Sequence, residues 1–152
     1  MTHILEAYAG ERIEVVKLLQ EYGAADEADL PLQVAGGAKV LRRRVLLRGQ
    51  SSRRNLLYAE VTVVPDRVDE TLLGGLVTTD KPVGVLLAEN RTETFREILV
   101  AAREPAGTCA AHFGIEPTAV VIFRTYRIHA RQVPIMLITE KFPEESFRGL
   151  PA

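Results

Sequence analysis

Apolar residues along the chain recur with two periods, and the switch between them marks the elements. From Lys39 to Arg48 they alternate in the manner of a strand that stops at Gly49 before a polar turn, Gln50 to Arg54. Asn55 to Val64 alternates again, with Leu57, Ala59, Val61 and Val63 on one face, and Pro65-Asp66 closes it. The two predict a β-hairpin with a loop of about five residues. Ala119–Ala130 and Val133–Lys141 are rich in β-branched residues and flank Arg131-Gln132, which predicts a second hairpin with a tight turn. Helical spacing appears over Asp66–Leu76, where Leu72, Leu73 and Leu76 follow an acidic start, and over Val83–Glu89, where Pro82 suits a first turn and Asn90 an end. A short helix is also expected over Thr2–Tyr8. Two stretches fit either period. Ile13, Val15, Val16, Leu18 and Leu19 suit a helix or a strand, and so do the apolar residues of Thr92–Glu104. Pro105–Ala111 reads as a loop of small residues. The sum is an α+β architecture, an antiparallel sheet with a few short helices.

A length of 152 residues predicts one domain over 1–152, large enough for its own core. Hydrophobic residues make up 47%, charged residues 26%, and the net charge is -1, a balance that disfavours a disordered chain and a nucleic-acid partner. The apolar runs Ala119–Phe123 and Val133–Ile138 fall far short of the roughly 18 residues that span a bilayer. Met1 to Glu6 lacks a basic, apolar leader, so the expected location is cytoplasmic. The single cysteine, Cys109, excludes a disulfide within the chain and argues against a cysteine zinc cluster.

GxSxG, a glycine-rich phosphate loop, HExxH and CxxC are all absent, and no metal is expected. Cys109 and His112 have the spacing of a thiol and its base, set in what otherwise reads as an ordinary loop. His3 and His129 are far apart and suggest no ligand pair. Charges on apolar faces are more informative. Alternation places Arg43 with Leu41, Val45 and Leu47, and Glu140 with Met136 and Ile138. An inward arginine and an inward carboxylate either pair with each other or await a ligand, because an isolated buried charge costs several kcal/mol by general estimates. Arg91, Arg124 and Arg127 are further candidates to fork a small dianion beside Arg43, each with a solvated edge-strand position as the plain alternative.

Several segments in order carry a family resemblance. They are Arg43-Arg44-Val45-Leu46-Leu47, Tyr58-Ala59-Glu60-Val61-Thr62-Val63-Val64-Pro65, Lys81-Pro82-Val83-Gly84, Arg91-Thr92-Glu93-Thr94-Phe95-Arg96-Glu97-Ile98, Arg124-Thr125-Tyr126-Arg127-Ile128 and Pro134 to Pro143. Over almost its whole length the chain resembles the chorismate pyruvate-lyases, whose fold is shared with the UTRA effector-binding domains of transcription regulators. The resemblance implies an antiparallel sheet of about six strands around a buried ligand cavity, with strands at Arg12–Glu21 and Thr92–Glu104. It implies conversion of chorismate to 4-hydroxybenzoate and pyruvate without a cofactor. The substrate arginine falls on Arg43, the catalytic carboxylate on Glu140, a ligand-contacting amide on Val83 and a further contact on Met1. Arg124 and Arg127 both match family positions, either one able to face the cavity, and Arg91 and Arg127 are further substrate-binding candidates. Family members carry a helical segment ahead of the stretch seen here as Met1 to Glu6. The expectation is a start further upstream or a second subunit over that face, so a homodimer is permitted. The alternatives are a relative acting on another small carboxylic acid in secondary metabolism and a non-catalytic effector-binding domain.

Overall fold

Six strands in the order β1-β2-β3-β6-β5-β4 form one antiparallel sheet in the computed structural model, which describes Glu6 and residues 9–147. They are β1 (Ile13–Ala24), β2 (Lys39–Gly49), β3 (Asn55–Val63), β4 (Phe95–Pro105), β5 (Val120–Ala130) and β6 (Val133–Pro143). Met1, His3 and, apart from Glu6, the helix expected over Thr2–Tyr8 lie outside the described residues. Both hairpins stand where alternation put them. Arg131 and Gln132 take φ of 53° and 67°, the left-handed pair that a two-residue hairpin turn requires. The two stretches that fitted either period are the edge strands, β1 and β4. Each carries a register shift, between Lys17 and Leu19 in β1 and between Ile98 and Val100 in β4. An extra residue moves the following side chains to the other face, so neither strand keeps one alternation from end to end.

Three helices follow the first hairpin: α1 (Glu70–Thr78), α2 (Val83–Glu89) and the single turn α3 (Ala110–Phe113). The sequence expectation began α1 at Asp66. The observed start is later because Asp69 is the N-cap, its carboxylate accepting from the Leu72 amide at 2.8 Å, while Pro65–Arg67 forms a separate 3₁₀ turn. One turn apart on α1, Leu72 and Leu76 are buried in the main core with Leu86 and Leu87 of α2 and with Leu41, Val61, Val63, Met136 and Ile138 of the sheet. Full burial of one such side chain is worth about 2 kcal/mol. Gly75 lies close against Leu86 of α2: a Cβ there would stand 2.8 Å from Leu86 Cδ2 and that side chain would have to shift. Part of the segment expected as a loop is helical, a 3₁₀ turn Gly107–Cys109 running into α3, and Cys109 and Ala110 are buried with Val121. Asp29, in the 3₁₀ turn Glu27–Leu32, is buried and bonded by Arg42 Nη1 at 3.1 Å and Nη2 at 2.8 Å.

Candidate functional site

Directly opposed residues in an antiparallel pair share a face, so the register fixes which side chains meet. Gln20, Arg43, Val61, Ile138 and Tyr126 form one row across β1, β2, β3, β6 and β5, and Val45, Ala59, Glu140 and Arg124 form the next. Arg43 and Glu140 therefore point to the same side of the sheet from neighbouring rows. That side bounds a cavity of about 110 Å³, closed opposite by Lys81, Pro82 and Val83 at the start of α2. Apolar side chains such as Val45, Leu57, Val61 and Ile138 make up much of its wall, and the charged groups lining it are Arg43, Lys81, Arg96 and Glu140.

The two buried charges are in unequal situations. Glu140, 5% exposed, accepts from Arg124 Nε at 2.8 Å on one carboxylate oxygen and from the Tyr126 hydroxyl at 2.6 Å on the other. Arg43, 2% exposed, has Nε and Nη2 buried with no hydrogen-bond partner. Burial holds the Arg43 guanidinium below the ordinary arginine pKa, with the charge of Asp80 acting the other way. The pairing of Arg43 with Glu140 is thus not the arrangement found: the carboxylate is held by Arg124 and Tyr126, and the guanidinium faces the cavity unpaired. A buried donor left unmade costs about 1–3 kcal/mol, a strain that an anionic ligand would relieve.

Tyr126 is 3% exposed, and burial, reinforced by the neighbouring Glu140 charge, pushes its phenol well above the usual tyrosine range. It stays a hydrogen-bond donor. The Arg96 guanidinium lies over its ring at 4.4 Å from the centroid. Lys81 pairs with Glu89 at 3.0 Å near the cavity mouth.

Val83 opens α2 and is among the residues lining the cavity. Arg91 and Arg127 do not join it. Arg91 is exposed just past the end of α2, with φ of 51° and its amide bonded to Ala88 O. Arg127 sits on the opposite face of β5, where it pairs with Glu97 and donates to Pro31 O at 2.7 Å. Arg124 is the arginine of that strand on the cavity side, one strand residue from Tyr126 in alternation. Met1 lies outside the described residues. Cys109 and His112 form no thiol–base pair: the buried thiol is pushed up by desolvation, and the imidazole stacks on Tyr58 at 5.2 Å. Among the described residues, no group of three or more His, Cys, Asp or Glu side chains is placed to hold a metal, and no helix is long and apolar enough to cross a membrane.

Sequence reading missed Tyr126, Arg96 and Lys81 as site residues. Tyr126 was recoverable in principle, because hairpin register sets it beside Ile138 and hence next to Glu140. Arg96 stands before the β4 register shift, whose presence hides which face it takes.

An open antiparallel sheet with a few short helices along it is the fold of the effector domains of bacterial transcription regulators. The C-terminal domain of the histidine utilization repressor from Pseudomonas syringae pv. tomato superposes with a TM-score of 0.72 at 12% identity, covering 93% of this chain and 98% of that one. The effector domain of PhnF from Mycobacterium smegmatis gives 0.71 at 18% identity, covering 95% and 88%. Sequence carries the assignment further. The family model for the Rv2949c-like chorismate pyruvate-lyases matches residues 1–148, and the chain belongs to that family. A chorismate pyruvate-lyase of Mycobacterium tuberculosis (strain CDC 1551 / Oshkosh) is 31% identical over 117 residues, 76% of this chain and 59% of the relative. One from Mycobacterium leprae is 28% identical over 153 residues, 99% of this chain and 72% of the relative. The match to the Mycobacterium tuberculosis protein thus spans about three-fifths of that relative's length.

Proposed function

We propose that this chain is a chorismate pyruvate-lyase, cleaving chorismate to 4-hydroxybenzoate and pyruvate in the cavity bounded by Arg43, Glu140 and Val83. The observation that carries the reading is the Arg43 fork, buried at the cavity wall with Nε and Nη2 unpartnered, beside a carboxylate in the next row that is held by one donor on each oxygen. The family membership and the relatives' name support it.

The reaction needs little beyond these groups. Breaking the ether bond at ring C3 and losing the hydrogen at C4 makes the ring aromatic. The departing enolpyruvate takes a proton at its methylene carbon and becomes pyruvate, so atoms balance without an oxidant or a reductant. Arg43 takes a substrate carboxylate, offsetting part of its desolvation with charge-assisted hydrogen bonds. Glu140 accepts from the ring hydroxyl, fixes the ring and moves the proton. Val83 opens α2 at the cavity, so its amide has no partner within the helix and is available to a second anionic group. Apolar walls keep water from the departing enolpyruvate.

The test is incubation of the purified chain with chorismate, with both products quantified against a blank. Equimolar pyruvate and 4-hydroxybenzoate are expected, and their absence refutes the activity. A second reading, a cavity that only binds a small carboxylic acid, draws on the same unpaired fork. It predicts thermal stabilisation by 4-hydroxybenzoate without turnover.

A further inference from the structure

We propose that Tyr126 is the positioning residue of this site: its hydroxyl clamps one oxygen of Glu140 while Arg124 clamps the other, so that the carboxylate presents its remaining lone pairs to the cavity at a fixed angle. The inference rests on the lyase reading for its kinetic consequence, and on the contacts alone for the clamp itself.

The terminal torsion of a glutamate is broad and roughly two-fold, so one hydrogen bond leaves the carboxylate free to rock. Two donors on separate oxygens stop it. Arg124 Nε reaches Oε2 at 2.8 Å and the Tyr126 hydroxyl reaches Oε1 at 2.6 Å, both from alternate positions of β5, the strand paired with Glu140's own. An ionised carboxylate offers about four acceptor positions, so two remain for a ligand hydroxyl. The clamp is itself braced. Arg96 covers the Tyr126 ring at 4.4 Å, Arg124 lies 5.6 Å from the same centroid, and the ring is buried between Ile98 and Ile138 in its row. A phenol also suits the task chemically: burial beside Glu140 keeps it protonated, so it donates steadily and does not compete as a base. The second donor, a guanidinium, is permanently charged.

The experiment compares the full chain with its Tyr126→Phe variant, which deletes the hydroxyl and keeps the ring under Arg96. Turnover of chorismate is expected to fall on the order of 10- to 100-fold, the cost of a loosened reacting group, with KM changed less than about twofold. Affinity for 4-hydroxybenzoate, read by calorimetry, stays within about twofold, since Arg43 and the apolar wall are untouched. Unchanged kcat overturns the proposal, even if the variant is less stable. So does a rise in KM at constant kcat. A second measurement stands apart from turnover. With 3-fluorotyrosine incorporated, Glu140→Gln is expected to shift the fluorine resonance of Tyr126 and to leave that of Tyr58, which bonds Glu60, in place. A Tyr126 resonance that does not move overturns the clamp. If the wild-type chain yields no pyruvate but the resonance moves, the lyase reading fails and the clamp on Glu140 stands.

Discussion

Replacing Arg43 by methionine separates a structural charge from one held ready for a ligand. The side chain is 2% exposed, and its Nε and Nη2 are buried without partners. Leaving such donors unmade costs about 1–3 kcal/mol, and exchanging buried ionic groups for apolar side chains of similar volume is often neutral or stabilising by about 1–4 kcal/mol. Methionine approximates the arginine stem and adapts to irregular walls. Arg43→Met should therefore raise the unfolding free energy of the unliganded protein by about 1–2 kcal/mol, which for a chain of this length moves Tm up by roughly 3–6 °C. Ligand response goes the other way. At a hundredfold excess over Kd, 4-hydroxybenzoate should stabilise the wild type by about 2.7 kcal/mol and the variant negligibly. Urea unfolding with and without 4-hydroxybenzoate measures both arms. An unliganded variant destabilised by more than about 1 kcal/mol would mean that the guanidinium is satisfied within the protein and is not held ready for a ligand.

Glu140→Gln keeps the shape of the side chain and removes its charge. Turnover of chorismate should drop about 10²- to 10⁴-fold while 4-hydroxybenzoate affinity changes only a few-fold, read by pyruvate release and calorimetry. Lys81→Ala removes a half-exposed cation from the cavity mouth and should raise KM for chorismate about fivefold, with kcat nearly constant, in a steady-state assay. Asp29 gives a pH dependence unrelated to turnover. Burial raises its pKa, but hydrogen bonds from Arg42 and the Asp26 amide outweigh that and hold the carboxyl below its ordinary value. Its contribution is fully present above the unfolded carboxyl pKa of about 3.9 and is lost as pH falls through the lower folded value. Urea midpoints between pH 6 and pH 2 should therefore show an acid limb that Asp29→Asn reduces; an identical limb in the variant would contradict the assignment.

Alternation alone was enough to find the interior hairpins and, within them, the two inward charges. Arg43 and Glu140 lie on strands with neighbours on both sides, where every second residue meets the same packed face. The edge strands were illegible for a local reason. Ile13–Ala24 and Phe95–Pro105 each hold an extra residue, at Leu18 and Leu99, that breaks the period halfway along. Their one-sided pairing also leaves them less buried, with Ile98, Leu99 and Val100 between 39% and 51% exposed, so hydrophobicity no longer separates the faces. The arginines sorted only once register was known. Arg124 and Arg127 are three residues apart and so stand on opposite faces of β5, and nothing in the composition of that strand says which face is inward. Arg91 could not be placed from the sequence because its position depends on a left-handed residue after α2. Family likeness supplied what pattern could not, the strand assignment of the two edges.

A crystal structure of the chain with 4-hydroxybenzoate tests directly whether Arg43 and Glu140 hold the ligand. The ligand carboxylate is expected on Nε and Nη2 of Arg43, its hydroxyl within hydrogen-bond reach of Glu140, and Arg124 and Tyr126 still on the two carboxylate oxygens. A ligand bound elsewhere, or an Arg43 that turns to pair with Glu140, would contradict this placement.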